Sequence, residues 1–112
     1  MRVLLDTNII IHRESYKVSH LAIGQMFYWL DKLNYTKCIH PLTEVEISKF
    51  GDKEVVRSMG IKMESYHVLK TIAPMGTVVK ALSDGTDKNE NDRNDTMLLN
   101  ELFEDRVDIF IT

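Results

Sequence analysis

Hydrophobic positions in this chain switch between two periods. Val3-Leu4-Leu5 is a short continuous apolar run that stops at Asp6-Thr7-Asn8. Such a run is the mark of a strand buried on both faces. Ile9-Ile10-Ile11 is apolar again before His12-Arg13-Glu14, and 9–17 reads as a turn with a short helix or loop. From Leu21 to Leu33 the period becomes helical. Ile23, Met26, Phe27, Leu30 and Leu33 recur at spacings of three and four and make one apolar face, with Ser19 as a candidate cap. The aromatic residues Phe27, Tyr28 and Trp29 read as packing on a sheet, not as a ligand box.

Lys37 to His40 reads as a second strand, stopped by Pro41. Thr43 and Glu46 then match a capping box, and Gly51 suits the stop of that helix. Asp52 and Gly60 bracket a further short helix over 53–59. Tyr66, Val68, Leu69 and Ile72 fit either a helix face or a strand, and Pro74 stops either. Thr77 to Leu82 predicts a helix with Val78, Val79 and Leu82 inward. Ser83 to Asp95 is a long polar connection, a feature that is often functional or mobile. Thr96 to Phe103 is helical, with Asn91 or Asp92 as its cap and Asp95 in its first turn. Val107 to Thr112 closes the pattern as another buried-type strand.

Strand, helix, strand, helices, strand implies an α/β fold, a parallel sheet with helices on both faces. Residues 1–112 read as a single domain of ordinary size. A buried strand that finishes at Thr112 with no covering helix leaves such a sheet incomplete, so the chain reads as a piece of something longer.

Composition narrows the function classes. The hydrophobic fraction is 44% and the charged fraction 28%, ordinary for a globular domain. A single cysteine, Cys38, excludes an internal disulfide, and no zinc-type spacing is present, which fits the cytoplasm. No apolar run approaches the roughly 18 residues of a membrane span. Net charge is −3, from 14 basic and 17 acidic residues, against the basic footprint of most nucleic-acid binders. The histidines His12, His20, His40 and His67 show no ligand pairing, and His40 before Pro41 reads as structural.

Three acids stand at comparable places. Asp6 ends the first strand, Glu46 begins the helix after the second, and Asp95 begins the helix before the last. Ligands of open α/β sheets bind outside the carboxyl ends of the strands. Carboxylates gathered there repel one another unless a hard cation offsets them, and oxygen-only ligands point to Mg²⁺ or Mn²⁺ over Zn²⁺. Such clusters hydrolyse phosphodiesters. Each acid also has a plain structural role open to it. Asp6 and Asn8 suit a turn or cap, Glu46 a capping-box acid, and Asp95 the third residue of a box begun by Asp92.

Leu4-Leu5-Asp6-Thr7-Asn8-Ile9-Ile10-Ile11 resembles the opening of the PIN domain family, a hydrophobic strand ending in Asp-Thr-Asn or Asp-Ser-Asn. Ile39-His40-Pro41-Leu42-Thr43-Glu44-Val45-Glu46-Ile47 resembles that family's second block, with a Thr three residues before the acidic ligand, here Glu46. Asn94-Asp95-Thr96-Met97-Leu98-Leu99 resembles the helix led by the third ligand, here Asp95. Val107-Asp108-Ile109-Phe110-Ile111-Thr112 is similar to the strand leading into the family's Thr-x-Asp site, with Thr112 as that Thr. The resemblance spans nearly the whole chain.

It implies a three-layer α/β/α sandwich around a central parallel sheet and Mg²⁺- or Mn²⁺-dependent endoribonuclease activity. Asp6, Glu46 and Asp95 would be the metal ligands and catalytic acids, with Asn8 and Thr112 supporting them. Asp92 is the reserve ligand, and Arg93 is a candidate to meet substrate phosphate; Arg13, Lys49 and Lys53 are weaker ones. RNA is the implied substrate; an antitoxin protein, a homodimer and a fused downstream domain are implied partners. The chain departs from the family pattern by ending before the Asp two residues after Thr112, and by its long polar segment 83–91. The rival expectation is a PIN-like module without catalysis, binding RNA or protein.

Overall fold

The computed structural model describes residues 1–14, 21–49, 53, 56–57, 60 and 63–112. Strand β1 (Arg2–Leu5) runs directly into helix α1 (Thr7–Glu14), and α2 spans Leu21–Lys32. Strand β2 (Thr36–Ile39) leads into α3 (Pro41–Ser48). A 3₁₀ turn (Met63–Ser65) precedes the two-residue strand β3 (His67–Val68). Helices α4 (Thr77–Thr86) and α5 (Glu90–Phe103) lead to β4 (Ile109–Ile111). The candidate caps Ser19, Gly51 and Asp52 and most of the helix expected over 53–59 lie outside the described residues.

The four strands form one all-parallel sheet in the order β3-β2-β1-β4. Alternation along β1 divides the interior in two. Val3 and Leu5 pack with Ile10, Phe27, Leu30, Ile39, Ile47 and Tyr66 from the α1–α3 side. Leu4 packs with Cys38, Leu69, Leu98 and Val107 on the α5 side. Side chains pointing to opposite faces of a central strand thus bury themselves in two separate cores, and the fold is a three-layer α/β/α sandwich. No helix among the described residues is long and apolar enough to cross a membrane.

Several local expectations need correction. Helix α3 is not opened by a Thr43–Glu46 capping box. Its N-cap is His40, whose Nδ1 accepts the Leu42 N–H at 3.1 Å, with Pro41 at the first helical position. Proline supplies a helical φ and lacks the amide that position would orphan, so the start moves upstream of Thr43. The segment Ser83–Asp95 is largely helical, split between the end of α4 and the start of α5. Asn89, not Asn91 or Asp92, caps α5 by accepting the Asp92 N–H at 2.9 Å. Asp95 therefore stands in the second turn, past the amides that carry the positive end of the helix dipole. In α4, Val79 is buried but Val78 and Leu82 face outward, while Ser83 is buried. In α2, Phe27 and Leu30 carry the packing; Leu33, Tyr28 and Trp29 are exposed.

Both α2 and α5 end without glycine. Asn34 (φ 56°) and Asp105 (φ 58°) adopt the left-handed conformation. Around each, the following amide reaches back five residues, Tyr35 N–H to the Leu30 carbonyl and Arg106 N–H to the Glu101 carbonyl, both at 3.0 Å. The residue itself bonds three back, completing a Schellman turn at each end. The second of these turns brings Arg106 alongside Glu101.

Candidate active site

Asp6 occupies the single position between β1 and α1. Its N–H continues the ladder to the Ile111 carbonyl at 2.9 Å, and its own carbonyl accepts the Ile9 N–H at 3.0 Å. Strand and helix therefore fix this residue from both sides. The residue is 8% exposed, and its carboxylate accepts the Thr112 hydroxyl at 2.9 Å. Thr112 thus holds one oxygen of Asp6.

Glu46 reaches the same region from α3. Thr7 donates to Glu46 Oε1 at 3.0 Å, and Thr7 and Thr43 hydroxyls lie 3.0 Å apart. A hydroxyl has one proton, so Thr43 donates to Thr7 and Thr7 to Glu46. The threonine chain runs through a buried contact between α1 and α3, and Glu46 is its terminal acceptor. Burial holds the Glu46 carboxyl above its usual range, opposed by the Thr7 hydrogen bond; the charges of Asp95 and Asp6 push it further up, and Lys49 pulls it down.

Asp95 is raised too, first by burial around its carboxyl and then by Asp6, Asp92 and Asp87, although the residue as a whole is exposed. Asp6, Glu46 and Asp95, distant in sequence, thus fall within one another's electrostatic reach at one edge of the sheet. Among the described residues, no group of three or more His, Cys, Asp or Glu side chains stands arranged around a single metal position.

The remaining expected residues divide. Asn8 is exposed, and no side-chain hydrogen bond joins it to Asp6 among the described residues. Asp92 is committed to the start of α5: its Oδ2 accepts the Lys88 N–H at 3.0 Å while its amide bonds Asn89. Arg93 is exposed, and its charge helps lower the Asp87 carboxyl. Asp87 is an acid near this edge that sequence reasoning missed. Hydrogen bonds from Ser83 and Thr96 hold its carboxyl below the usual range, and its charge reaches Asp95. Its sequence signal was only one more acid in a polar run. Of the weaker basic candidates, Lys49 reaches Glu46, Arg13 lies 5.1 Å from the Phe27 ring centre, and Lys53 is exposed.

A second polar cluster went unread. His40 and Glu101 are fully buried, with His40 Nε2 3.2 Å from Glu101 Oε1. Because Nδ1 accepts from Leu42, the imidazole is neutral and donates through Nε2. Glu101 Oε1 also accepts the Ala73 N–H at 2.9 Å, and Arg106 Nε lies 3.2 Å from Oε2. That ion pair is close but poorly aligned, since Oε2 receives no well-formed hydrogen bond. Asn100 adds bonds to the carbonyls of Ala73 and Pro74 and accepts from Gly76. One turn of α5 thereby fastens the loop 71–76 to the sheet. Cys38 is buried, and burial pushes its thiol up, as suits an inert core residue.

No family model, no curated protein and no solved structure matches this chain.

Proposed function

We propose that this chain is a PIN-like, divalent-metal-dependent endoribonuclease acting through Asp6, Glu46 and Asp95. One observation carries the reading: Asp6, Glu46 and Asp95 come from three separate segments to the carboxyl end of a parallel sheet, where burial and then the charge of Asp6 raise the proton affinities of Glu46 and Asp95, with Asp95 adding to the effect on Glu46. Such mutual repulsion is costly unless a cation offsets it. The donor set is all oxygen, which fits Mg²⁺ or Mn²⁺. Asp6, Glu46 and Asp95 would hold that ion. When bound, it supplies a Lewis acid that lowers the pKa of water and offsets charge on a phosphodiester oxygen.

The chain's own groups do the rest. Thr112 occupies one oxygen of Asp6 and Thr7 one oxygen of Glu46, and among the described residues no hydrogen bond engages the other oxygen of either. Lys49, whose charge reaches Glu46, and Arg93, whose charge reaches Asp87, are candidates to meet substrate phosphate. Asn8, exposed two residues after Asp6, would orient water there. RNA as substrate, an antitoxin protein, a homodimer or a fused downstream domain as partner, and the cytoplasm as location all rest on the PIN resemblance.

A second reading is a non-catalytic module binding RNA or protein. The absence of a ready metal cage among the described residues favours it. Calorimetric titration with Mn²⁺, run on the chain, Asp6→Asn and Asp95→Asn, separates the two, together with cleavage of a labelled RNA. The nuclease reading expects Mn²⁺ binding weakened about tenfold or more in each variant, from loss of a charged ligand, and cleavage abolished with it. An unmodified chain that neither binds Mn²⁺ nor cuts RNA leaves the non-catalytic module standing.

A further inference from the structure

A concentration of the opposite charge lies away from the acids. Arg2 and Leu4 share one face of β1, and His67 and Leu69 share the same face beyond β2, beside the Leu4–Cys38–Leu69 core. Arg2, His67, Leu69, Lys70 and Arg106 line a cavity of about 300 Å³ there. Arg2 precedes Asp6 by four residues, about 13 Å of strand, so this cavity and the acidic edge are separate places. In a chain of net charge −3, a cavity whose polar lining among the described residues, Arg2, His67, Lys70 and Arg106, is all basic runs against the composition.

The cations are partly preset and partly unengaged. Arg106 is fixed by Nη2 bonds to the Thr71 carbonyl (2.8 Å) and hydroxyl (2.7 Å) and by Glu101 under its Nε. Its Nη1 has no partner among the described residues. Arg2 makes one long 3.5 Å side-chain contact, to the Arg106 carbonyl. Lys70 has no carboxylate within ion-pair distance among the described residues. Two acids lie close. Glu101 is buried and offsets Arg106, and Asp108 accepts the Arg2 backbone N–H at 2.8 Å. Arg2, Lys70 and the open edge of Arg106 remain as donors for a ligand.

We propose that this cavity binds a single phosphate group, either orthophosphate or the terminal monoester of a larger molecule. Guanidinium forks and an ammonium suit a phosphate's several oxygens. A bounded cavity suits one phosphate, whereas a nucleic-acid backbone needs an extended groove. The test is backbone-amide NMR of the full chain in EDTA, which silences any metal-dependent cleavage. The probes are sodium phosphate and one oligoribonucleotide carrying either a 5′-phosphate or a 5′-hydroxyl. Shifts confined to the neighbourhood of residues 2, 67–71 and 106 are expected. Affinity should fall about tenfold or more in Arg2→Gln/Lys70→Gln, from lost charge-assisted bonds, and stay unchanged in Asp6→Asn. Binding of orthophosphate alone identifies a small ligand; preference for the 5′-phosphorylated over the 5′-hydroxyl strand identifies an RNA end. No shifts with either phosphate probe, undiminished binding by the double variant, or equal binding of the 5′-hydroxyl strand overturns the proposal. None of these outcomes depends on whether the acidic edge is catalytic.

Discussion

Replacing Glu101 with alanine would leave the His40 Nε2–H and the Ala73 N–H without this acceptor and would remove the carboxylate beside the Arg106 guanidinium, which keeps its Thr71 bonds. Breaking a buried, hydrogen-bonded charge typically costs about 3–5 kcal/mol, so urea denaturation of Glu101→Ala should show a loss of that order. His40 should answer to pH in a defined direction. Burial lowers its proton affinity below the ordinary value, and Arg106 adds to this, against a partial upward pull from Glu101. The folded value lies below the unfolded one, so the stability from neutral His40 is present above about 6.5 and lost as pH falls through the folded value. Protonation would also place a proton on the Nδ1 that caps α3. Ring NMR should therefore show His40 titrating below 6.5; a normal titration midpoint would refute the buried neutral imidazole. Nothing in the sequence marked Glu101. It stands in an apolar helical run, and its partners at His40, Ala73 and Arg106 come from other segments, which only tertiary folding brings together. Asp6 was legible for the opposite reason, since its chemistry is set by its place at the end of its own strand.

Among the elements, periodicity located the long ones and local end chemistry misplaced their limits. The strands β1, β2 and β4 and the helices α2 and α5 follow from apolar runs and spacings. The start of α3 was misplaced because Thr43 and Glu46 fit a capping box, while Pro41 and the histidine before it made a better start. The polar stretch 83–95 hid two helix ends because Asn89 accepts the Asp92 N–H and Asp92 accepts the Lys88 N–H across the turn, bonds that read as a loop when only hydropathy is followed. The ends of α2 and α5 lacked the glycine that usually flags them. This absence has a measurable consequence. A non-glycine residue in the left-handed region carries a steric penalty, reduced but not abolished for Asn and Asp. Asp105→Gly keeps the Schellman turn and should raise stability by about 0.5–1 kcal/mol, seen as a higher thermal midpoint. Asn89→Ala removes the α5 cap and should lower stability by about 1 kcal/mol. If Asp105→Gly were destabilising, its side chain would have a role beyond the turn.

At the scale of the whole molecule, the acidic edge sets stability against charge. Glu46 and Asp95 have folded proton affinities above their unfolded ones. Their contribution is fully present below the unfolded values near 4 and declines as pH rises through the folded values, the reverse of His40. At pH 7 and without divalent ions, both carboxylates therefore tax the fold. Glu46→Gln retains an acceptor for Thr7 and removes one repelling charge. It should be more stable than the unmodified chain by a few tenths to about 1 kcal/mol once solvent screening is allowed for. A bound cation reverses this ordering, because it binds the folded acids and not the unfolded chain. At a Mn²⁺ concentration about 100 times its Kd, the unmodified chain should gain about 2.7 kcal/mol, and Glu46→Gln clearly less. Thermal unfolding at pH 7 with and without Mn²⁺ reads both quantities from one pair of proteins. A crossing of the two stabilities on adding Mn²⁺ means that the repulsion is maintained for an ion. If Glu46→Gln is the more stable and Mn²⁺ changes neither protein, the acids repel without a metal to hold, and the fold serves as a binding module.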